Sequence, residues 1–244
     1  GADRQIVCHQ LTTYSSTAGM ATDGLMPVRV TDGGAGSDVI TIAYSNSSFG
    51  ATPARLDADV ASSDPATDLF VSNAANGAMF QSGDVVLIAE PGSPTKPCAR
   101  LRLTGVIADV SGVRLRHAGG ASGDAMNPAA GTNIFPVAPT VGYLTSATSP
   151  ALVINMGTFV RSQYDIANRN LRWKDLQSGA SDELADNVVM IQAQYGVTAS
   201  ATSQDIAAWV NATGGWSDPA ASDVARIKAI RVAVVSRSPT IERD

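Results

Sequence analysis

The chain has 244 residues, of which 44% are hydrophobic, 16% charged and 5% aromatic, with a net charge of −5 and two cysteines. That length suits one large domain or two small ones with a sizeable core, and the low charge with a normal apolar fraction excludes a disordered chain. Only three lysines and no Lys/Arg cluster argue against nucleic acid, no apolar run of about 18 residues spans a membrane, and His9 and His117 stand outside any metal-ligand spacing.

The predicted elements are mostly strands. Met26 to Thr31 alternates, and Asp38 to Tyr44 is a β-rich run between Gly33-Gly34-Ala35-Gly36 and Ser45-Asn46-Ser47-Ser48. Asp68 to Val71 is a short strand. Val85 to Ala89 is apolar on both faces, as a central strand would be, and a three-proline loop follows from Pro91 to Pro97. Ala99 to Thr104 and Gly112 to His117 alternate strictly, flank Val106 to Val110, and are expected as neighbouring hairpin strands. Ala118 to Pro139 is rich in Gly, Ala, Asn and Pro and reads as a long loop.

The second half carries longer runs. Ala151 to Ile166 is expected to be one long strand, with Asn168-Arg169-Asn170 turning the chain into Leu171-Arg172-Trp173. Asn187 to Val197 and Ala225 to Ser236 are two more. The segments 151–166, 187–198 and 226–237 are expected side by side, antiparallel, in one sheet. In the last, Ile227, Ala229, Arg231, Ala233 and Val235 fall on one face, and Lys228, Ile230, Val232 and Val234 on the other. Thr202-Ser203-Gln204-Asp205 is read as capping a helix over Ile206 to Val210 that Gly214-Gly215 ends, and Pro219 to Asp223 as one helical turn. The whole reads as a mostly-β fold of two antiparallel sheets with long loops, in a single domain over 1–244.

Catalytic chemistry is hard to find. Gly119-Gly120-Ala121-Ser122-Gly123 only imitates a nucleophile elbow, and Ser122, His117 and Asp124 lie too close in sequence for triad geometry. The aspartates Asp57, Asp59, Asp64 and Asp68 lack the spacing of a calcium loop and read as turn and strand-end residues. Glu90, Glu183 and Glu242 form no acid/base couple. No cofactor, no metal and no enzymatic activity are expected. Trp173 reads as a buried anchor, while Trp209 and Trp216 flank a Gly-Gly turn and are candidates for a sugar platform. Cys8 and Cys98 are either a disulfide or two buried thiols; the bond would close a long loop, with a chain-entropy stabilisation of about 4–5 kcal/mol. The start, Gly1-Ala2-Asp3-Arg4, is neither a signal peptide nor an initiator, so a trimmed chain and a mature secreted protein both stay open.

Several segments together resemble the periplasmic part of PilW-type minor pilins of type IV pili, relatives of the J-type minor pseudopilins of type II secretion. Leu184 to Gly196 is similar to that family's strand ending in Gln-x-Gln-Tyr-Gly, and Arg226 to Ser238 to its last strand. Gly157-Thr158-Phe159-Val160-Arg161, followed by Tyr164 and Leu171-Arg172, resembles its long hairpin, and Ser37 to Tyr44 its first strong strand. In such proteins a leader and a long apolar helix precede the β-domain. The resemblance implies that the sequence starts after that N-terminal pilin helix, which is then absent from it, since Arg4-Gln5-Ile6-Val7-Cys8 resembles the helix's hand-over point to the globular part.

The resemblance implies an α+β pilin-like fold and a structural subunit that primes pilus assembly at or near the tip. Its implied partners are other minor pilins, a tip adhesin, and the inner membrane through the missing helix, with no nucleic acid bound directly. The implied location is the periplasmic side of the inner membrane before assembly and the pilus afterwards. It also implies a Cys8–Cys98 bond, because the periplasm is oxidising. It implies an uncovered apolar strip where the helix would pack, with Ile227, Ala229 and Val235, or their alternates Ile230, Val232 and Val234, as candidates. Adhesion, twitching motility and DNA uptake are not separated by these residues. The alternatives are a type II secretion pseudopilin and a secreted carbohydrate-binding or adhesin β-module.

Overall fold

The computed structural model describes residues 10–15, 19–47, 53–60, 68–72, 78–91, 93, 96–109, 112–119, 126–129, 142–145 and 150–238. In chain order the strands are β1 (Gln10–Ser15), β2 (Gly19–Gly24), β3 (Val28–Thr31), β4 (Val39–Tyr44), β5 (Pro53–Arg55), β6 (Leu69–Val71), β7 (Val85–Ala89), β8 (Cys98–Arg102) and β9 (Gly105–Asp109). They continue with β10 (Gly112–Arg116), β11 (Leu152–Gly157), β12 (Val160–Ala167), β13 (Asn170–Asp175), β14 (Ser181–Ala185), β15 (Val188–Thr198), β16 (Ile206–Val210) and β17 (Ile227–Ser236). One helical turn, α1 (Ala221–Val224), precedes β17, as expected from Pro219 to Asp223. No helix among the described residues is long and apolar enough to cross a membrane.

The chain divides into two compact units, each built from two sheets. The first comprises residues 1–25 and 45–159. Its six-stranded sheet runs β2-β1-β8-β7-β11-β5 and its three-stranded sheet β6-β10-β9; all pairings are antiparallel except β1 with β8. Val86, Ile88, Leu101 and Val153 from the larger sheet share one core with Leu69, Val71, Val113 and Leu115 from the smaller. β7 is buried at every residue, as its unbroken apolar run requires of an interior strand.

The second unit comprises residues 26–44 and 160–244. A five-stranded sheet, β14-β13-β12-β4-β3, and a three-stranded sheet, β16-β15-β17, share a core in which Val30 and Ile40 meet Ile191, Ala193, Tyr195 and Val197. The Tyr195 hydroxyl accepts the Val30 N–H at 2.6 Å, so the one polar atom of a fully buried ring is satisfied. The hairpin β12–β13 turns at Asn168 and Arg169, both at positive φ (53° and 64°), the geometry a two-residue turn of this hand demands.

Five sequence expectations are corrected. The described residues form four sheets rather than two. The segment 151–166 is two strands in two sheets, because Gly157 (φ 62°) and Phe159 (φ 43°) take left-handed conformations that break an extended run. β15 and β17 are neighbours as expected, but neither pairs with β11 or β12. Ala99 to Thr104 and Gly112 to His117 are not hairpin partners: β8 pairs with β7 and β1, while β10 pairs with β9, the strand that lies between them in sequence. Ile206 to Val210 is not helical. It forms β16 against Tyr195–Thr198, since five residues gain little as a free helix and gain a full ladder beside β15. Most of the 118–139 loop lies outside the described residues, as do Ser122 and Asp124.

Gly157 gives a local test. A Cβ there would overlap the Asn46 side-chain oxygen, which accepts the Thr158 N–H, and come within 2.9 Å of the Ser47 nitrogen. With the positive φ added, Gly157→Ala is expected to destabilise by about 2 kcal/mol, read from the urea midpoint at unchanged slope.

Candidate functional site

The three-stranded sheet of the second unit carries the residues singled out for association. β15 is its centre, β16 and β17 its two edges. From Met190 opposite Val235, β17 pairs residue by residue with β15 until Gly196 faces Ala229; the next pair is Val197 with Ile227, which leaves Lys228 as the extra residue of a bulge. The bulge reverses the parity of Ile227. Ile227 packs on the second core together with Ile230, whereas Ala229 lies across the sheet beside Gly196. The set Ile227, Ala229 and Val235 is therefore not one face. Ile227 joins Ile230, Val232 and Val234; Ala229 and Val235 stand opposite.

Beyond Ile230 the strand is open. Every residue from Arg231 to Ser236 is exposed, with Val232 at 45%, Val234 at 55% and Val235 at 49%. Next to Ile227 and Ile230, an apolar groove of about 270 Å³ is lined by Met26, Val28 and Val224 as well.

The opposite face of this sheet is a built row. Arg231 donates to the Gln194 side-chain oxygen, and the Gln194 amide donates to Asn211 at 2.6 Å, so one line of side chains runs from β17 across β15 to the residue just after β16. In the next row the Trp209 ring reaches over Gly196, where a Cβ would come to 2.9 Å of it, and the Arg231 guanidinium lies 4.7 Å from the ring centre. Trp209 remains 39% exposed. Trp216 instead packs on the second core with Arg226 at 5.5 Å from its ring, so the two indoles do not form an open pair. Trp173 is half-buried and donates its N–H to Ser162 at 2.9 Å.

Several described titratable groups of the first unit are tied to neighbouring backbone and side chains. Glu90 accepts the Lys96 ammonium at 2.7 Å, the Leu144 N–H at 3.0 Å and the Ser93 hydroxyl at 2.6 Å. Burial pushes its carboxyl up, but the Lys96, Ser93 and Leu144 bonds together outweigh this and hold it below the ordinary carboxylate value. Tyr143 is fully buried, which pushes its phenol up, and its hydroxyl donates to the Pro97 carbonyl at 2.5 Å. Asp59 accepts the Thr145 N–H and hydroxyl, and these bonds hold its carboxyl low. Asp68 faces Arg114 and Arg116, and Asp64 lies outside the described residues. Among the described residues no group of three metal-ligating side chains occurs. Cys98 opens β8 and is 3% exposed; Cys8 lies outside the described residues.

Sequence reasoning missed two structural centres. Glu90 with Lys96 had a faint signal, a lysine in a proline loop just after a buried strand. Asp38 sat at an ordinary strand start, where nothing distinguishes a turn aspartate from one that bonds another sheet.

These features define a class: a protein of paired β-sheets with an exposed, apolar edge strand. Residues 146–244 match the family described as type IV pilus-assembly protein W, PilW. That span holds β11 to β17, including the open strand, and is the part of the chain similar to pilus-assembly proteins. No curated protein and no solved structure matches the chain.

Proposed function

We propose that this chain is the periplasmic part of a minor pilin that helps prime type IV pilus assembly and sits at or near the pilus tip, acting by association rather than catalysis. The match of residues 146–244 to the PilW family carries this reading. The exposed apolar end of β17 supports it, because single exposed valines are ordinary but a run of them marks a surface that meets something.

In this reading residues 1–244 work as one subunit beneath an N-terminal pilin helix. The helix anchors the subunit in the inner membrane before assembly and packs beside helices of other minor pilins, with a tip adhesin as a further partner. The Ile227, Ile230, Val232 and Val234 face is the better candidate for helix packing. The runner-up within the same reading is a type II secretion pseudopilin, which shares the architecture.

The test deletes the gene in its piliated host and restores it with or without the upstream helix. Loss of surface pili, restored only by the helix-bearing form, is the expected result. Normal piliation in the deletion strain overturns it. Pulling down other minor pilins with the helix-bearing form, and not type II secretion components, separates the two homes.

The Cys8–Cys98 disulfide belongs to the same proposal, supported by the burial of Cys98 and by the absence of a free cysteine among the described residues. Intact-mass spectrometry of unreduced protein is expected to find the chain two hydrogens lighter than its dithiol. Two alkylatable thiols would defeat the pairing.

A further inference from the structure

The two outer strands β14 and β17 of the second unit each end a sheet. β17 runs ten residues, has no proline, and pairs only through its β15 side. Its uncovered side chains lie on both faces, Val232 and Val234 on one and Val235 on the other. A helix laid on the sheet covers one face only, whereas a strand added at the edge brings side chains over both and meets the open backbone groups. Residues 227–238 also carry Lys228, Arg231 and Arg237 with no acidic residue, in a chain of net charge −5, while Arg226 just before them is paired with Asp223.

β14 is its opposite. All five residues, Ser181–Ala185, are exposed, and Leu184 is 53% uncovered. Asp182, Glu183 and the following Asp186 give it three acids and no base. Arg172, which lies across from Glu183 in the β13–β14 ladder, is already held by Asp165 through two bonds of 2.9 Å, so the exposed β14 acids outnumber the cations beside them.

The geometry points to a second copy of this chain as the occupant: the acidic, apolar edge β14 of one copy adds to the basic, apolar edge β17 of another. Unlike edges of opposite sign attract over several ångströms and set which edges meet, while the apolar side chains Leu184 and Val232 to Val235 leave water. Because the contact joins two different surfaces, it permits growth beyond a pair. It uses the edge of β17 and stands independently of the helix proposed for one of its faces.

The test uses two variants of the full chain. Asp182→Lys with Glu183→Lys blocks β14, and Val234→Lys blocks β17; all three positions are exposed, so circular dichroism and melting are expected to match the parent. By sedimentation velocity the parent rises in mean mass with concentration, and each variant alone stays monomeric. Mixing the two variants restores association, stopping at a one-to-one pair, because one intact edge of each kind remains. Hydrogen exchange of that pair slows at 231–236 in one variant and at 181–185 in the other. A monomeric parent, a β14-blocked variant that still self-associates, or a mixture that stays monomeric overturns the proposal.

Discussion

Asp38→Ala is expected to be among the most damaging single substitutions, costing about 3–5 kcal/mol. Asp38 is 1% exposed and accepts the Gly33 N–H at 2.9 Å and the Ala193 N–H at 2.7 Å. Its own N–H donates to the Ile191 carbonyl at 2.9 Å, and the Ser37 hydroxyl accepts the Ile191 N–H at 3.0 Å. β16 pairs with β15 only from Tyr195 onward, so residues 37 and 38 act as a short substitute strand along Ile191–Ala193. Each hydrogen bond to a buried carboxylate contributes about 1.5–3 kcal/mol, and alanine leaves the Ala193 N–H without a partner where water does not reach. Asparagine is no rescue, since its amide nitrogen would turn a donor toward one of two donors. Urea unfolding checks the magnitude, and hydrogen exchange is expected to lose protection first at Ile191 and Ala193. Ser37→Ala, which removes one weaker acceptor, is expected to cost about 1 kcal/mol. Equal effects from the two variants would show that the carboxylate has no special place.

The second large effect is at Glu90. Its side chain is 3% exposed and that of Lys96 13%. Glu90→Ala is expected to cost about 3–5 kcal/mol, because it strands a buried ammonium that otherwise meets the Glu90 carboxylate and the Gly142 carbonyl at 2.7 Å each. The Leu144 N–H also loses its acceptor, so the segment 142–145 loosens from the end of β7. The pH dependence follows from the direction of the shift. The fold holds the Glu90 carboxyl below its ordinary value of 4.5, so the unfolded chain binds the proton more readily. Stability from this group is complete above pH 4.5 and is lost as pH falls through its lower folded value. Glu90→Gln is expected to be less stable at neutral pH and to show a shallower loss than the parent between pH 5 and 3, followed by urea midpoints at each pH. Parallel pH profiles would exclude the ion pair as the source.

Much of the local structure was legible in the residues. The strands at Val39–Tyr44, Val85–Ala89, Val188–Thr198 and Ile227–Ser236 follow from β-branched runs between turn formers, and the Asn168-Arg169 turn from residues that tolerate left-handed backbone. The short helical turn before β17 was legible as well. What failed locally was the helix over Ile206 to Val210, where an apolar pentapeptide carries no period and the neighbouring strand decides, and the single strand over 151–166, which Gly157 and Phe159 break. The alternation along β17 was read correctly from Ala229 onward, but the bulge at Lys228 lies in the partner strand's register and leaves no mark in the sequence.

By itself the sequence determined that this protein is mostly β, where nearly all its longer strands lie, that no grouped catalytic side chains are apparent, and its resemblance to PilW-type pilins. Those properties depend on side-chain type, on spacing over a few residues, and on patches whose order along the chain is preserved. Tertiary structure alone decided the division into two units, the four sheets, and the places of Asp38 and Glu90 against distant backbone. It also left β14 and β17 as open edges of opposite charge. Strand pairing joins residues as far apart in sequence as Ile40 and Tyr164, and many pairings satisfy the same alternating pattern equally well. Which one forms depends on which apolar faces close on a common core and on where a backbone turn such as Gly157 to Phe159 sends the chain.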